Sequence, residues 1–125
     1  MKKILIIEDD DILLGMYSQR LKSENYEILQ AREGKTGLGI AQSSKPDLIL
    51  LDVMLPGGMN GFDVLEDLKR SEASKNIPVI VLTNLDSEEK AAIAIGANAY
   101  LVKVNTKIEQ LVEKVKEILY TENER

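Results

Sequence analysis

Apolar residues collect in five short runs along this chain, and the segments between the runs carry apolar residues at helical spacing. The runs are ILII (4–7), YEILQA (26–31), LILLD (48–52), PVIVLT (78–83) and AYLVK (99–103). Each run has the length of a β-strand, and three of them lack the alternation that a strand with one solvated face shows. The pattern therefore predicts five strands, of which the central ones are covered on both faces.

The intervals between the runs predict amphipathic helices. The clearest apolar stripes are Leu13, Leu14, Tyr17 and Leu21 in the first interval, Phe62, Val64, Leu65 and Leu68 in the third, and Ile108, Leu111, Val112, Val115 and Leu119 after the last run. Apolar side chains three and four residues apart share one helix face, which can pack on a sheet. The order of elements is thus a strand followed by a helix, repeated five times.

Local signals mark some of the helix ends. Asp86 with Glu89, and Thr106 with Glu109, have the spacing of capping boxes at the starts of the fourth and fifth helices. Gly96 is placed to end the fourth helix. The second helix is the weakest prediction, because the glycines at 37 and 39 lie inside it and each costs about 1 kcal/mol relative to alanine.

Strands that alternate with helices predict an α/β fold, and 125 residues with 44% hydrophobic content suit one domain over 1–125. Right-handed crossovers make the strands parallel. We expect a flavodoxin-like (βα)5 three-layer sandwich, with a parallel five-stranded sheet in the order 2-1-3-4-5. The polar tail TENER (121–125) is expected to be disordered.

Composition excludes several classes of function. The chain has no cysteine and no histidine, which rules out disulfides, thiolate chemistry, catalytic triads with histidine, and zinc held by imidazole. Its 16 basic and 21 acidic residues give a net charge of −5, and the lysines are scattered, so direct binding to nucleic acid is not expected. No signal-like or membrane-length apolar segment is present, which predicts a cytoplasmic chain without membrane insertion.

Polar side chains gather where the predicted strands end. Glu8 and Asp9 follow the first strand, Asp52 ends the third, Thr83 the fourth and Lys103 the fifth. Parallel strands end at one edge of the sheet, and open α/β folds bind ligands there. We therefore expect these five side chains to form one site.

Three carboxylates at close range repel one another, and a bound divalent cation keeps them ionised at neutral pH. Hard oxygen ligands predict Mg²⁺, with Mn²⁺ as the alternative ion. Asp9 and Asp52 are the expected direct ligands, the backbone carbonyl of Met54 is a third, and Glu8 acts through water. An oxygen of Asp52 is then a carboxylate nucleophile for phosphorus, and Lys103 and Thr83 stabilise the phosphoryl oxygens.

These motifs together resemble the receiver domains of two-component response regulators over essentially the whole chain. The similarity is carried by KILIIEDD, by LILLDVMLPG with its proline four residues after the acid, by VIVLTN, and by YLVK. It implies that Asp52 accepts a phosphoryl group from the phosphohistidine of a histidine kinase or phosphotransfer protein. It also implies that Thr83 and Tyr100 form a switch and that Lys103 pairs with the phosphoaspartate.

The same resemblance implies a signalling protein, not an enzyme acting on an external substrate. The domain would catalyse only its own phosphorylation and slow dephosphorylation. Its output face would consist of the fourth helix, the fifth strand and the fifth helix. This face would act on a downstream target or on an output domain absent from this chain. It is also the candidate surface for a dimer. The chain is either a stand-alone receiver or a fragment of a longer regulator.

Two features depart from the family pattern. The loop LPGGMNGF is one residue longer than the common form, which shifts the entry to the third helix. Lys103 is followed by Val104, where the family usually has a proline after a cis bond. A cis bond before valine costs about 2.5–4 kcal/mol. The segment VNT (104–106) therefore either retains that strain or takes another path.

Other interpretations compete with this one. Asp10 and Asp11 are interpreted as mainly structural, one of them a helix N-cap. Taken singly, Thr83 is an ordinary strand residue, Lys103 a solvated lysine and Tyr100 a half-buried packing residue.

Three rival functions use the same fold or chemistry. A flavin-binding carrier needs a phosphate-cradling loop where this chain has EDDD. An aspartate-dependent phosphatase would have a second aspartate at Met54. A degenerate receiver would lack part of the set of acids, threonine and lysine. Uptake of phosphate from acetyl phosphate separates these rivals.

Overall fold

The computed structural model describes residues 1–123, with side chains described up to Tyr120. The elements are β1 (Lys3–Ile7), α1 (Asp11–Ser23), β2 (Glu27–Ala31), α2 (Gly34–Ser44), β3 (Leu48–Leu51), α3 (Gly61–Arg70), β4 (Val79–Thr83), α4 (Glu89–Ile95), β5 (Ala99–Val102), a 3₁₀ turn (Lys103–Asn105) and α5 (Ile108–Asn123). All five predicted strands and helices are confirmed, and each strand differs from its predicted run by one residue at one end. Helix α5 extends through 121–123 of the tail predicted to be disordered, and 124–125 lie outside the described residues.

The strands form one parallel sheet in the order β2-β1-β3-β4-β5, which confirms the predicted topology. The register pairs Ile7 of β1 with Leu51 of β3. The amide of Asp52 donates to the Ile7 carbonyl at 3.1 Å, so the pairing continues into the first residue after β3. This register places the residues that follow β1 beside the residues that follow β3.

Side chains alternate between two cores, one on each face of the sheet. Leu5 and Ile7 point to the core shared with α2, α3 and α4, whereas Ile4 and Ile6 point to the core shared with α1 and α5. All residues of β3 and β4 are buried, as the absence of alternation predicted. The three-layer sandwich is thus confirmed.

The glycine-containing helix α2 lies unusually close to the sheet. A Cβ atom on Gly37 would lie 2.5 Å from Cδ1 and 2.7 Å from Cγ1 of Ile7, so only glycine fits at this contact. Gly39 has nothing within 4 Å of a Cβ atom, and no contact explains it. Packing on β1 therefore offsets part of the low helix propensity that weakened the prediction for α2.

Both predicted capping boxes are wrong. Helix α4 begins at Glu89 after Glu88, which makes no side-chain capping bond, so Asp86 and Glu89 do not form a box. Before α5, the Thr106 hydroxyl donates to the Val102 carbonyl at 2.8 Å instead of capping the helix. The spacing identifies residue types that can form a capping box. It does not predict whether the backbone amides of the helix start lie within hydrogen-bond distance of those side chains.

Residues other than those predicted cap two of the helices. Ahead of α5, the Lys107 amide donates to Oε1 of Gln110 at 2.7 Å. A full capping box opens α3, where Oδ1 of Asn60 accepts from the Asp63 amide at 3.0 Å and Oδ2 of Asp63 accepts from the Asn60 amide at 3.1 Å. The longer loop before α3 thus ends in a defined cap.

Three other expectations about helix ends stand. Gly96 ends α4 with a φ of +135°. Asp10 is the N-cap of α1, because its Oδ1 accepts from the amides of Ile12 and Leu13 at 2.9 and 3.1 Å. Asp11 pairs with Arg32, whose Nε lies 2.5 Å from its Oδ1. Both aspartates thus have the structural roles that the sequence suggested.

Candidate functional site

Three carboxylates meet at the C-terminal edge of the sheet. Glu8, Asp9 and Asp52 each offer an oxygen, and these oxygens all lie within 4.8 Å of one another. Glu8 and Asp52 are buried, at 3% and 5% exposure, and Asp9 is exposed. The register of β1 and β3 brings them together, as predicted from the order of the strands.

The Lys103 ammonium closes this cluster from the side of β5. Its Nζ lies 2.6 Å from Oε1 of Glu8 and 2.6 Å from Oδ2 of Asp52. Lys103 does not end the strand as predicted, because β5 stops at Val102 and Lys103 opens the 3₁₀ turn. Its side chain is 10% exposed, so this lysine is paired and largely buried, not solvated.

The backbone around Asp52 also holds its carboxylate. Oδ1 of Asp52 accepts from the Met54 amide at 3.0 Å, while Oδ2 accepts from Lys103. The start of α3 presses on the same segment: a Cβ atom on Gly61 would overlap the Asp52 carbonyl oxygen and Cα of Val53. Each oxygen of Asp52 therefore has a hydrogen-bond donor, and the close packing of α3 restricts the backbone of Asp52 and Val53.

Burial and hydrogen bonding shift the pKa values of Glu8 and Lys103, the two ionisable groups beside Asp52. Burial raises the pKa of Glu8, and hydrogen bonds from Lys103 and from the Asp10 amide oppose that rise. Burial also lowers the pKa of Lys103, but its hydrogen bonds to Asp52 and Glu8 outweigh burial and carry the pKa above its ordinary value. The ammonium thus stays protonated at neutral pH and partly compensates the buried negative charge.

Thr83 and Tyr100 meet on the loop between β4 and α4. Thr83 ends β4 fully buried, and its Oγ1 accepts from the Leu85 amide at 3.3 Å. The Tyr100 hydroxyl donates to the Leu85 carbonyl, and this side chain is half-buried, as expected for a packing residue. Among the described residues, neither hydroxyl bonds to Asp52, so the structure brings this pair to the loop and not to the acids.

The segment after Lys103 takes the second of the two predicted paths. No cis peptide bond occurs within residues 1–123, and Lys103 to Asn105 form a 3₁₀ turn. The Val104 amide donates to Oδ1 of Asn84 at 3.0 Å. Asn84 was not among the residues predicted for the site. Its position directly after Thr83, and the amide that residue 104 has because it is not proline, are the signals in the sequence that point to it.

Two apolar side chains flank the site differently. Met54 is 57% exposed, whereas Leu85 is half-buried and packs against the core shared with α2, α3 and α4. The Leu85 side chain is therefore packed, whereas the Met54 side chain is not.

The sequence and fold of this chain are similar to those of known proteins. A profile of the response regulator receiver domain matches residues 4–116. The chain belongs to the response regulator receiver domain family. The family resemblance stated from the motifs is confirmed.

Individual relatives agree with this assignment. The receiver domain is 36% identical over 121 residues to the DNA-binding dual master transcriptional regulator RpaA of Synechocystis, covering 95% of this chain and 49% of that protein. A CheY-like receiver domain protein of Methanospirillum hungatei has a TM-score of 0.90 at 31% identity, covering 99% of this chain and 98% of that one. A Mn²⁺-bound structure of response regulator Rcp1 has a TM-score of 0.80 at 28% identity, covering 94% and 93%.

The receiver domain spans about half or less of the first curated relatives that it matches, with 22% and 49% as two examples. No helix within its described residues combines the length and the apolar character that a membrane crossing requires.

Proposed function

We propose that this receiver domain is a phosphorylation-controlled signalling switch in a two-component phosphorelay, with Asp52 as the phosphoryl acceptor. The observation that carries the proposal is the buried Lys103 ammonium, 2.6 Å from both Asp52 and Glu8 and beside Asp9. A degenerate receiver would have no need to bury this charge pair, which is costly unless both partners are present. The set of charges thus supports an active receiver.

The donor set fits a hard divalent cation. Three carboxylates within reach of one another match the oxygen ligands that Mg²⁺ prefers, and the Mn²⁺-bound neighbour supports Mn²⁺ as a second ion. Asp9 and Asp52 would ligate the ion directly, Met54 through its backbone carbonyl, and Glu8 through water. When bound, such an ion neutralises charge on the carboxylates and on the phosphoryl group.

The residues of the chain supply the rest of the reaction. An oxygen of Asp52 forms a bond to phosphorus while the phosphorus–nitrogen bond of a partner's phosphohistidine breaks, and the electron pair of that bond stays on the imidazole nitrogen. Lys103 then pairs with the new phosphoryl oxygens. Because Oγ1 of Thr83 already accepts from the Leu85 amide, its own proton is available to donate to the phosphoryl group.

The switch would be the loop between β4 and α4. Movement of Thr83 toward a phosphoryl oxygen would displace Leu85, and the Tyr100 hydroxyl bonded to its carbonyl would follow. The signal would then reach the face of α4, β5 and α5, which we propose as the surface for a target, an output domain or a second copy. The proposed partner upstream is a histidine kinase or phosphotransfer protein in the cytoplasm.

Mass spectrometry after incubation with acetyl phosphate and Mg²⁺ tests the proposal. The parent should gain one phosphoryl group, and Asp52→Ala should gain none. Asp67→Ala removes a half-buried aspartate of α3 that pairs with Arg70 and serves as the matched control, with uptake equal to the parent. Normal uptake by Asp52→Ala, or no uptake by the parent, would overturn the assignment. Asp52→Asn should also weaken Mg²⁺ binding by removing a ligand charge.

A further inference from the structure

Besides the ion pairs of the Lys103 side chain, one other side chain attaches the 3₁₀ turn to another part of the described fold. Two of its hydrogen bonds are local: Thr106 donates from its amide to the Lys103 carbonyl at 3.2 Å and from its hydroxyl to the Val102 carbonyl at 2.8 Å. The third runs from the Val104 amide to Oδ1 of Asn84, at 3.0 Å, and crosses to the end of β4. Asn84 thus fixes the turn relative to the sheet.

This bond exists because residue 104 is valine. A proline at that position has no N–H and cannot donate to Asn84. The Val104 side chain is 78% exposed, so it does not anchor the turn by packing. The amide of Val104, not its side chain, is therefore the feature that holds the turn in place.

We infer that Asn84 is a positioning residue for Lys103, acting through the amide of Val104. Lys103 must hold its ammonium within hydrogen-bond distance of Asp52, and its backbone is the first residue of the turn that Asn84 attaches. The inference deepens the proposed function, on which the role of Lys103 in phosphoryl transfer rests. The attachment itself is a property of the unphosphorylated protein.

The location of Asn84 gives the bond a second consequence. Asn84 follows Thr83 directly, and Leu85 accepts from Tyr100. The loop between β4 and α4 is thus joined to β5 through Tyr100 and to the Lys103 turn through Asn84. A shift of Thr83 toward a phosphoryl group changes the Tyr100–Leu85 and Val104–Asn84 hydrogen bonds together. The position of Lys103 and the state of the switch are therefore linked.

The first arm of the test needs no phosphodonor. Asn84→Ala should raise the exchange rate of the Val104 amide and shift the side-chain resonance of Lys103, each measured by NMR. Asn84→Asp keeps an acceptor oxygen and should restore both signals. Asn105→Ala is the matched control, because Asn105 lies in the same turn and its side chain forms no hydrogen bond among the described residues. Unchanged Val104 and Lys103 signals in Asn84→Ala would overturn the inference.

The second arm measures the rate of phosphorylation by acetyl phosphate with Mg²⁺. Asn84→Ala should slow the reaction about two- to tenfold, the factor that corresponds to one hydrogen bond of ordinary net strength. In a Lys103→Met background the same change should have no further effect, because Asn84 acts through the lysine. Equal effects in both backgrounds would assign Asn84 to the Thr83 loop instead and overturn the inference. Failure of the parent to react would overturn the proposed function, while the first arm still decides the role of Asn84.

Discussion

The two halves of the site differ in how firmly the fold holds them. The carboxylate side consists of β1, β3 and the loops after them, and the switch side consists of the loop after β4, α4, β5 and the 3₁₀ turn. Every residue of β3 is buried, whereas every residue of β5 is only half-buried. Helix α3 starts with a full capping box, and the seven-residue α4 starts without a side-chain cap and buries only Ala92. Segments with few buried contacts open at low free-energy cost, which suits the side that must move.

Lys103 joins the two sides. Its backbone belongs to the switch side, and its ammonium lies between Asp52 and Glu8 on the carboxylate side. A rigid nucleophile and an adaptable cation therefore share one ion pair. This domain therefore separates the proposed phosphoryl acceptor from the proposed switch, and the Lys103 ion pairs link the two directly.

The largest effect should come from the contact between the start of α3 and the backbone that follows β3, on the carboxylate side. Gly61→Ala places a Cβ atom against the backbone of Asp52 and Val53, which cannot move aside, so we expect a loss of about 3 kcal/mol in the free energy of unfolding. Denaturant unfolding measures this loss. Gly39→Ala is the matched control, because open space surrounds it and alanine should stabilise α2 by about 1 kcal/mol. Equal effects of the two changes would show that the carboxylate side is not rigid.

The lifetime of the phosphoaspartate tests one residue from each side, Met54 of the carboxylate side and Leu85 of the switch side. Neither Met54 nor Leu85 offers a strong hydrogen bond to a water aligned with the phosphorus–oxygen bond, so slow hydrolysis is expected. The double variant Met54→Asn with Leu85→Glu should shorten the lifetime, about fivefold if one ordinary hydrogen bond is gained. Loss of phosphate is followed by mass spectrometry. An unchanged lifetime would place control of water access elsewhere, with the longer GGMN loop the first candidate.

A tyrosine on the switch side should contribute to stability in a pH-dependent way. Tyr100→Phe removes the bond to the Leu85 carbonyl and should cost about 1 kcal/mol at neutral pH. Burial raises the pKa of Tyr100, so the unfolded chain releases its proton first as pH rises. The stabilisation is therefore complete below about pH 10 and is lost as pH rises through the folded pKa.

The control for this prediction is Tyr26→Phe. The buried Tyr26 hydroxyl has no hydrogen-bond partner among the described residues, so its removal should cost nothing at neutral pH. Denaturant unfolding of both variants and the parent, at neutral pH and above about pH 10, measures the difference. A cost for Tyr26→Phe equal to that for Tyr100→Phe would mean that the bond to Leu85 adds no stability to the switch side.

The smallest predicted effects compare the caps of the two helices. Asn60→Ala breaks the capping box of α3 and should cost about 1 kcal/mol. Asp86→Ala should change the unfolding free energy by less than about 0.5 kcal/mol, because Asp86 makes no capping bond to α4. Thermal or denaturant unfolding distinguishes the two. A loss for Asp86→Ala as large as that for Asn60→Ala would remove one of the differences between the two sides.

The sequence alone determined the five strands, their parallel direction and the placement of the acids and Thr83 at one edge, because these follow from local apolar patterns and from the crossovers between strands. The order 2-1-3-4-5 was predicted from the common flavodoxin-like arrangement. The tertiary structure decided the rest. Whether Asp86 or Asn60 caps a helix, how close Gly37 lies to Ile7, and that Asn84 meets the Val104 amide all depend on which backbone lies opposite. Spacing along the chain records residue types, whereas a hydrogen bond needs a donor and an acceptor within about 3 Å, which only the packed elements provide.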